Sequence, residues 1–198
     1  MSSTTNRPSR GKFERSSKAV KLSIVGALLL IVVLIVVAVS KASTATRVAN
    51  LTGGGLITTS PLIGQAAPVF SLPDLHDTTR QVTLSSFSGK PMVINFFSPA
   101  CVPCREEMPT FAKLGETYKG KINFIGVDET STASVARSFV DSFHLPYTTV
   151  IDSNGALIGS YLLPGVPVTV FVGSNGVIKG YVAGAITKSE LIARTSSL

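Results

Sequence analysis

Eighteen residues from Leu22 to Val39, "LSIVGALLLIVVLIVVAV", carry no charge. As a helix rising 1.5 Å per residue the run reaches roughly 27 Å, close to the ~30 Å hydrocarbon core of a bilayer. A lone segment in lipid can satisfy its backbone only as a helix, so its many β-branched residues do not count against one. Six bases precede it (Arg7, Arg10, Lys12, Arg15, Lys18 and Lys21) against one acid, Glu14. By the positive-inside rule that flank stays in the cytoplasm and whatever follows Val39 is exported. The expected organisation is a basic cytoplasmic tail (1–21), a single-pass transmembrane anchor in the cell membrane (22–40), a linker (41–64) and one extracytoplasmic domain (65–198).

The competing reading of the run is a cleaved signal peptide, since "AVSKAS" after it offers small residues. Such apolar regions usually span 7–15 residues, shorter than this one, so a retained anchor is expected. No cysteine directly follows the run, which excludes a lipoprotein. The anchor also explains the formal charge of +7: residues 1–21 hold a net +5, and residues 42–198 hold eleven bases and ten acids. The basic balance is a topology signal and not a nucleic-acid footprint, so no nucleic-acid partner is expected. The linker, rich in Thr, Ser, Gly and Ala with "GGG" at its middle, has the composition of a flexible tether.

Within 65–198 apolar runs alternate with helical patterns. "PMVINFF" (91–97) reads as a strand buried on both faces, followed by a helix from about Cys101 to Tyr118 with Phe111, Leu114 and Tyr118 in its buried stripe. "KINFIGV" (121–127) reads as a second buried strand. "TASVARSFVDSF" (132–143) reads as an amphipathic helix with Val135, Phe139 and Val140 inward. "YTTVI", "VTVFV" (168–172) and "VIKGYVA" (177–183) follow as strands, the last two joined by the hairpin signal "GSNG". "KSELIART" closes the chain as a helix, and "QVTL" supplies a short extra strand near the start. The pattern predicts an α/β sandwich with a mixed central sheet and helices on both faces.

Cys101 and Cys104 are the only cysteines in the chain. Their C-x-x-C spacing falls where a strand ends and a helix begins, which puts Cys101 at a helix N-terminus. Unpaired N–H groups and the macrodipole favour an anion there, and such sites can lower a thiol pKa from about 8.5 to as little as ~3.5. Cys104, one turn later, is placed to resolve a mixed disulfide formed at Cys101. Val102 and Pro103 set the stiffness between them, and a proline in the first turn costs no helical hydrogen bond. A purely structural disulfide closing so short a loop yields only about 2 kcal/mol, against ~3 for fifteen residues. A zinc site needs two further ligands, and only His76 and His144 exist, on separate loop-like segments, so no metal is expected. An inert pair of core thiols fits poorly with an oxidising compartment. The pair therefore points to dithiol–disulfide exchange.

Six segments in order, "APVFSLPDL", "VTLSSFSGKPMVINFF", "CVPCREEMP", "FIGVDE", "GVPVTVFV" and "GVIKGYVAG", resemble the TlpA/ResA type of membrane-tethered thiol–disulfide oxidoreductase. These are thioredoxin-fold proteins related to the AhpC/TSA redoxins. The resemblance covers residues 65–195 and implies a thioredoxin-like α/β/α sandwich. It implies an enzyme with no cofactor beyond a redox-active Cys101–Cys104 disulfide. It further implies that Pro167 is a cis-proline facing the C-x-x-C, and that the backbone of Val166 pairs with an extended substrate segment. Glu107 matches a family glutamate that tunes the proton chemistry of the dithiol; its other reading is a solvated charge in "REE", and the sequence leaves both open. Asp128 and Glu129 either act similarly or cap the next helix. Ser98, Pro99, Arg105 and Pro109 read as loop- and helix-shaping residues. Where family members commonly carry tryptophan, this chain has Phe97 and Ala100, which leaves Cys101 less shielded.

The implied partners are exported protein thiols and disulfides, among them apocytochrome c, and a membrane thiol electron donor. Two other functions are compatible with the thiols. One is a peroxiredoxin-type peroxidase, for which Ser98 is suitably placed but Ile94 stands where a proline is expected. The other is a Cu(I)-handling chaperone with His144 as a third ligand.

Overall fold

The computed structural model describes residue 31 and residues 58–129 and 131–198. The expected tail, the anchor (apart from Ile31, which is helical) and most of the linker lie outside the described residues. Among the described residues no helix is long and apolar enough to cross a membrane. Residues 56–198 form one compact unit. Its contacts begin before residue 65: Gly64 N–H donates to the Ile178 carbonyl at 2.9 Å, and Leu62 packs on the core.

The elements run β1 (Ser71–Pro73), β2 (Gln81–Thr83), a 3-10 turn (Leu84–Phe87), β3 (Met92–Phe97), α1 (Val102–Thr117), β4 (Asn123–Glu129), α2 (Ala133–Ser142) and β5 (Thr148–Asp152). After them come α3 (Ala156–Ser160), β6 (Val168–Val172), β7 (Ile178–Ala183) and α4 (Lys188–Ser196). A five-stranded sheet has the order β5-β4-β3-β6-β7. β3, β4 and β5 are parallel; β6 runs antiparallel to β3, and β7 antiparallel to β6. All six residues of β3 are buried, as its continuous apolar run requires of a central strand.

Two successive parallel crossovers in one direction, β3-α1-β4 and β4-α2-β5, place α1 and α2 on the same face when both are right-handed. That face is filled by Val93, Phe97, Phe111, Phe124, Phe139 and Leu191, drawn from the sheet and from α1, α2 and α4. Each such side chain contributes roughly 1.5–3 kcal/mol of burial. The other face holds Ile94, Phe96, Val127, Val150 and Val170 under the β1–β2 ribbon and the short α3. Helices thus occupy both faces, but the second carries only five helical residues beside the ribbon.

The residues of "VTVFV" form β6 as expected, and the Gly173 carbonyl accepts from Gly176 N–H at 2.9 Å across the "GSNG" turn. β4 begins at Asn123, two residues later than its apolar run suggests, and extends through Asp128 and Glu129. In α2 the inward residues are Ala136, Phe139 and Val140; Val135 is 51% exposed and not part of the stripe. Both α3 and β1 lacked a readable periodicity.

Gly115 lies inside α1, where alanine is ordinarily better by about 1 kcal/mol. Here a Cβ would stand 2.6 Å from Cδ1 of the Tyr147 ring. Gly115→Ala is therefore expected to destabilise the domain by about 1–3 kcal/mol through overpacking, read as a lower urea midpoint with unchanged slope.

Candidate active site

β3 delivers the chain to Ser98, and Cys101 N–H donates to the Ser98 carbonyl at 3.0 Å, closing the turn that starts α1. Cys101 is the N-cap: Cys104 N–H donates to its Sγ at 3.1 Å. A disulfide joins Cys101 and Cys104. Cys104 is fully buried among Phe97, Met108 and Phe139, whereas Cys101 is half-buried beside Val102, which is 63% exposed. Only Cys101 is therefore open to a large partner. A helix N-terminus with an N–H aimed at its sulfur favours negative charge on that atom.

The segment before β6, the strand paired directly with β3, meets this centre. The Val166–Pro167 peptide is cis, and the Val166 carbonyl oxygen lies 3.6 Å from Cys101 Sγ. Pro167 is buried, and its carbonyl accepts from Gly184 N–H at 2.9 Å, tying the segment to the end of β7. Cys101, Cys104, Val166 and Pro167 thus come together. Arg105 shapes the turn: its Nη1 donates to the Pro99 carbonyl at 3.1 Å, and its guanidinium lies over the Phe139 ring.

Glu107 is not a solvated charge. It is 5% exposed, and its Oε1 accepts from Asn95 Nδ2 at 2.9 Å while its Oε2 accepts from the Ile186 N–H at 3.2 Å. Burial pushes its carboxyl up from the ordinary 4.5 to about 7, against the lowering effect of those two hydrogen bonds. Pro103 and Glu107 line one small cleft with Ile186 and Lys188.

At the ends of β4 and β5, Glu129 pairs in register with Asp152, and Asp128 precedes Glu129 on its strand. The N-cap of α2 is Thr132, and Asp128 accepts from the hydroxyl of Ser131 just before it. Asp152 is committed to α3, taking Ala156 N–H on Oδ1 at 2.9 Å and Leu157 N–H on Oδ2 at 2.7 Å. Glu129 is 4% exposed; burial first, then the charges of Asp152 and Asp128, push its carboxyl up to about 8. Asp152→Ala is expected to cost about 2 kcal/mol in urea unfolding, because it orphans two N–H groups at the start of α3.

Three of these features escaped the sequence reading. Asn95 had a visible signal, as the one amide in "MVINFF". Asp152 had a weaker one, an acid four residues before an apolar stretch. The partnership of Glu107 with Ile186 had none, since the two lie 79 positions apart. Among the described residues no three His, Cys, Asp or Glu side chains converge to hold a metal ion. His76 faces Asp141 at 3.8 Å, and His144 follows α2 with a positive φ of 52°.

Residues 63–181 match the AhpC/TSA family model. The chain is 34% identical over 132 residues to the thiol-disulfide oxidoreductase ResA of Oceanobacillus iheyensis, covering 65% of this chain and 69% of the relative. It is also 34% identical over 131 residues to the thioredoxin-like protein YneN of Bacillus subtilis, covering 65% and 75%. The fold is similar to that of a secreted Mycobacterium tuberculosis disulfide oxidoreductase homologous to Escherichia coli DsbE, with a TM-score of 0.60 and 26% identity. That match covers 65% of this chain and 96% of the other. With its one C-x-x-C at the head of α1 and a mixed sheet beneath it, the chain belongs to the AhpC/TSA family and, within it, to the thioredoxin-like thiol–disulfide oxidoreductases.

Proposed function

We propose that this enzyme is a membrane-anchored, extracytoplasmic reductase of disulfides in exported proteins. The observation that carries the reading is the asymmetry of the pair: a half-buried Cys101 at a helix N-terminus, backed by a fully buried Cys104. The Cys101 thiolate attacks one sulfur of a substrate disulfide, forming a mixed disulfide. The substrate's other sulfur leaves as a thiolate and takes up a proton. Cys104, deprotonated, then attacks Cys101 Sγ, releasing the second substrate thiol and closing the Cys101–Cys104 disulfide. Two electrons have passed from enzyme to substrate. The backbone at Val166, with Pro167 behind it, docks the substrate strand against Cys101.

Glu107 sits one helical turn beyond Cys104, on the same face of α1. Half-ionised near neutrality, it is suited to take the proton of Cys104 as that sulfur attacks. Pro103 stiffens the turn between the two thiols. Apocytochrome c is the substrate favoured by the likeness to ResA, with a membrane thiol donor returning electrons to the pair. The reading calls for no cofactor beyond the disulfide, and no nucleic acid.

The placement is tested by labelling intact cells that express the full Cys104→Ala chain with a membrane-impermeant maleimide. Cys101 should react without lysis. Labelling that requires lysis contradicts an extracytoplasmic domain.

A further inference from the structure

Met92 of β3 is paired with Asn123 of β4 and Val172 of β6, and Val172 with Ile178 of β7. These residues mark the end of the sheet opposite Cys101, and four lysines gather on it. Lys90 and Lys121 each stand two residues before the Met92–Asn123 pair, where Asn123 N–H donates to the Pro91 carbonyl at 2.9 Å. Lys119 and Lys121 flank Gly120 in the turn after α1, which closes with Lys121 N–H on the Tyr118 carbonyl at 2.9 Å. Lys179 follows Ile178, and its Cε lies 3.1 Å from where a Cβ on Gly173 would stand, so its stem reaches over the β6–β7 turn. All four lysines are exposed. The acids near this end are Glu116, ion-paired with Lys119 at 3.4 Å, and Asp141 on α2, which faces His76 at 3.8 Å.

The same end receives the linker. Gly64 N–H donates to the Ile178 carbonyl, and Ile178 N–H to the Gln65 carbonyl, both at 2.9 Å, so the chain joins the domain beside Lys179. Two aliphatic side chains there are turned out to solvent: Ile63, 40% exposed, and Val69, 84% exposed. Val69 forms one wall of a cleft of about 340 Å³ with Ala66, Leu84, Met92 and Gly176. Cations beside exposed aliphatic groups suit a surface that lies on a bilayer. The ammonium groups meet lipid phosphates while the aliphatic groups enter the interface.

We infer that this end of the domain docks on the anionic lipid headgroups of the membrane that holds the anchor, with Cys101 directed away from the bilayer. The inference rests on the proposed reading of a membrane-anchored chain. Charge complementarity and the entry point of the linker select lipid as the occupant. An anchor already confines the domain near the bilayer, so a contact through a few lysines is enough to set its orientation. β3 alone adds roughly 17 Å between Met92 and Phe97, and the docked pose lifts the reactive sulfur by about that distance. Cys101 then faces exported proteins in solution, and a membrane thiol donor has to present its thiols at that height.

The test uses the full chain in lipid nanodiscs, made either of phosphatidylcholine alone or of two parts phosphatidylcholine to one part phosphatidylglycerol. A water-soluble acetylating ester is added, and the rate of modification at each lysine is read by mass analysis. In the anionic discs Lys90, Lys119, Lys121 and Lys179 should react about fivefold more slowly than in the neutral discs. Lys188, exposed at the head of α4 beside the Glu107 cleft, should react equally in both. Salt at about 1 M, where the screening length is ~3 Å, should erase the difference. The paired changes Lys90→Glu and Lys121→Glu should return Lys119 and Lys179 to their neutral-disc rates. No slowing at the four lysines, or slowing that extends equally to Lys188, overturns the docked pose while a chain retained in both discs leaves the anchor standing. Slowing that is equal in neutral discs gives the surface to another copy of the chain and also overturns lipid docking. A chain that is not retained in neutral discs overturns the anchored reading and the docked pose together.

Discussion

Replacing Cys104 with alanine is expected to convert a turnover enzyme into a trap. Cys101 still attacks, but no thiol remains behind it to release the bound partner, so a covalent complex accumulates and multiple turnover stops. Replacing Cys101 with alanine is expected to abolish complex formation altogether, because Cys104 is fully buried and cannot meet a protein disulfide. The measurement is non-reducing electrophoresis and mass analysis after incubation with a disulfide-bonded protein substrate. A complex that accumulates with Cys101→Ala instead of Cys104→Ala would reverse the assigned order of the thiols.

The second large effect is on stability. Glu107 has an ordinary pKa of 4.5 in the unfolded chain and about 7 when folded, so between those values the folded state holds a proton that the unfolded state has lost. Stability therefore falls as pH rises from 4.5 to 7, and the loss persists above 7, where the carboxylate is buried and charged. The contribution is on the order of 3 kcal/mol for a group this deeply buried. Glu129, raised to about 8, acts in the same direction over a window reaching one unit higher. Glu107→Gln should flatten the fall measured by urea unfolding from pH 4.5 to 8.5. Superimposable pH profiles for parent and variant would mean that Glu107 titrates as an exposed carboxyl.

How much of this was readable in the sequence depended on the range of each interaction. β3, the head of α1 and β6 were legible because a continuous apolar run, a proline in the first helical turn and a glycine-bounded hairpin are local signals. Val135 was misplaced because the apolar stripe was assigned by residue type. The small Ala136 fits against the sheet where a bulkier apolar residue was expected. α3 is only five residues long, too short for helical periodicity, and is set by the Asp152 carboxylate that caps it. Glu107 left two readings open, a glutamate acting on the dithiol and one charge in a solvated "REE". What removes it from water is a convergence of Asn95 on β3 and Ile186 before α4, which no local pattern encodes. The reactive cysteines announced themselves in the sequence; the burial of Glu107 and Glu129 showed itself only in the fold.

Cys101 and Cys104 are proposed to cycle between dithiol and disulfide as a reductase. The most direct test is the reduction potential of the full chain in detergent, poised in glutathione or dithiothreitol series and read by alkylation and mass. A reductase of this kind is expected to show a reversible two-electron couple near that of thioredoxin, about −270 mV. A couple near −120 mV would make the protein an oxidant, and finding no reversible couple would contradict dithiol exchange itself.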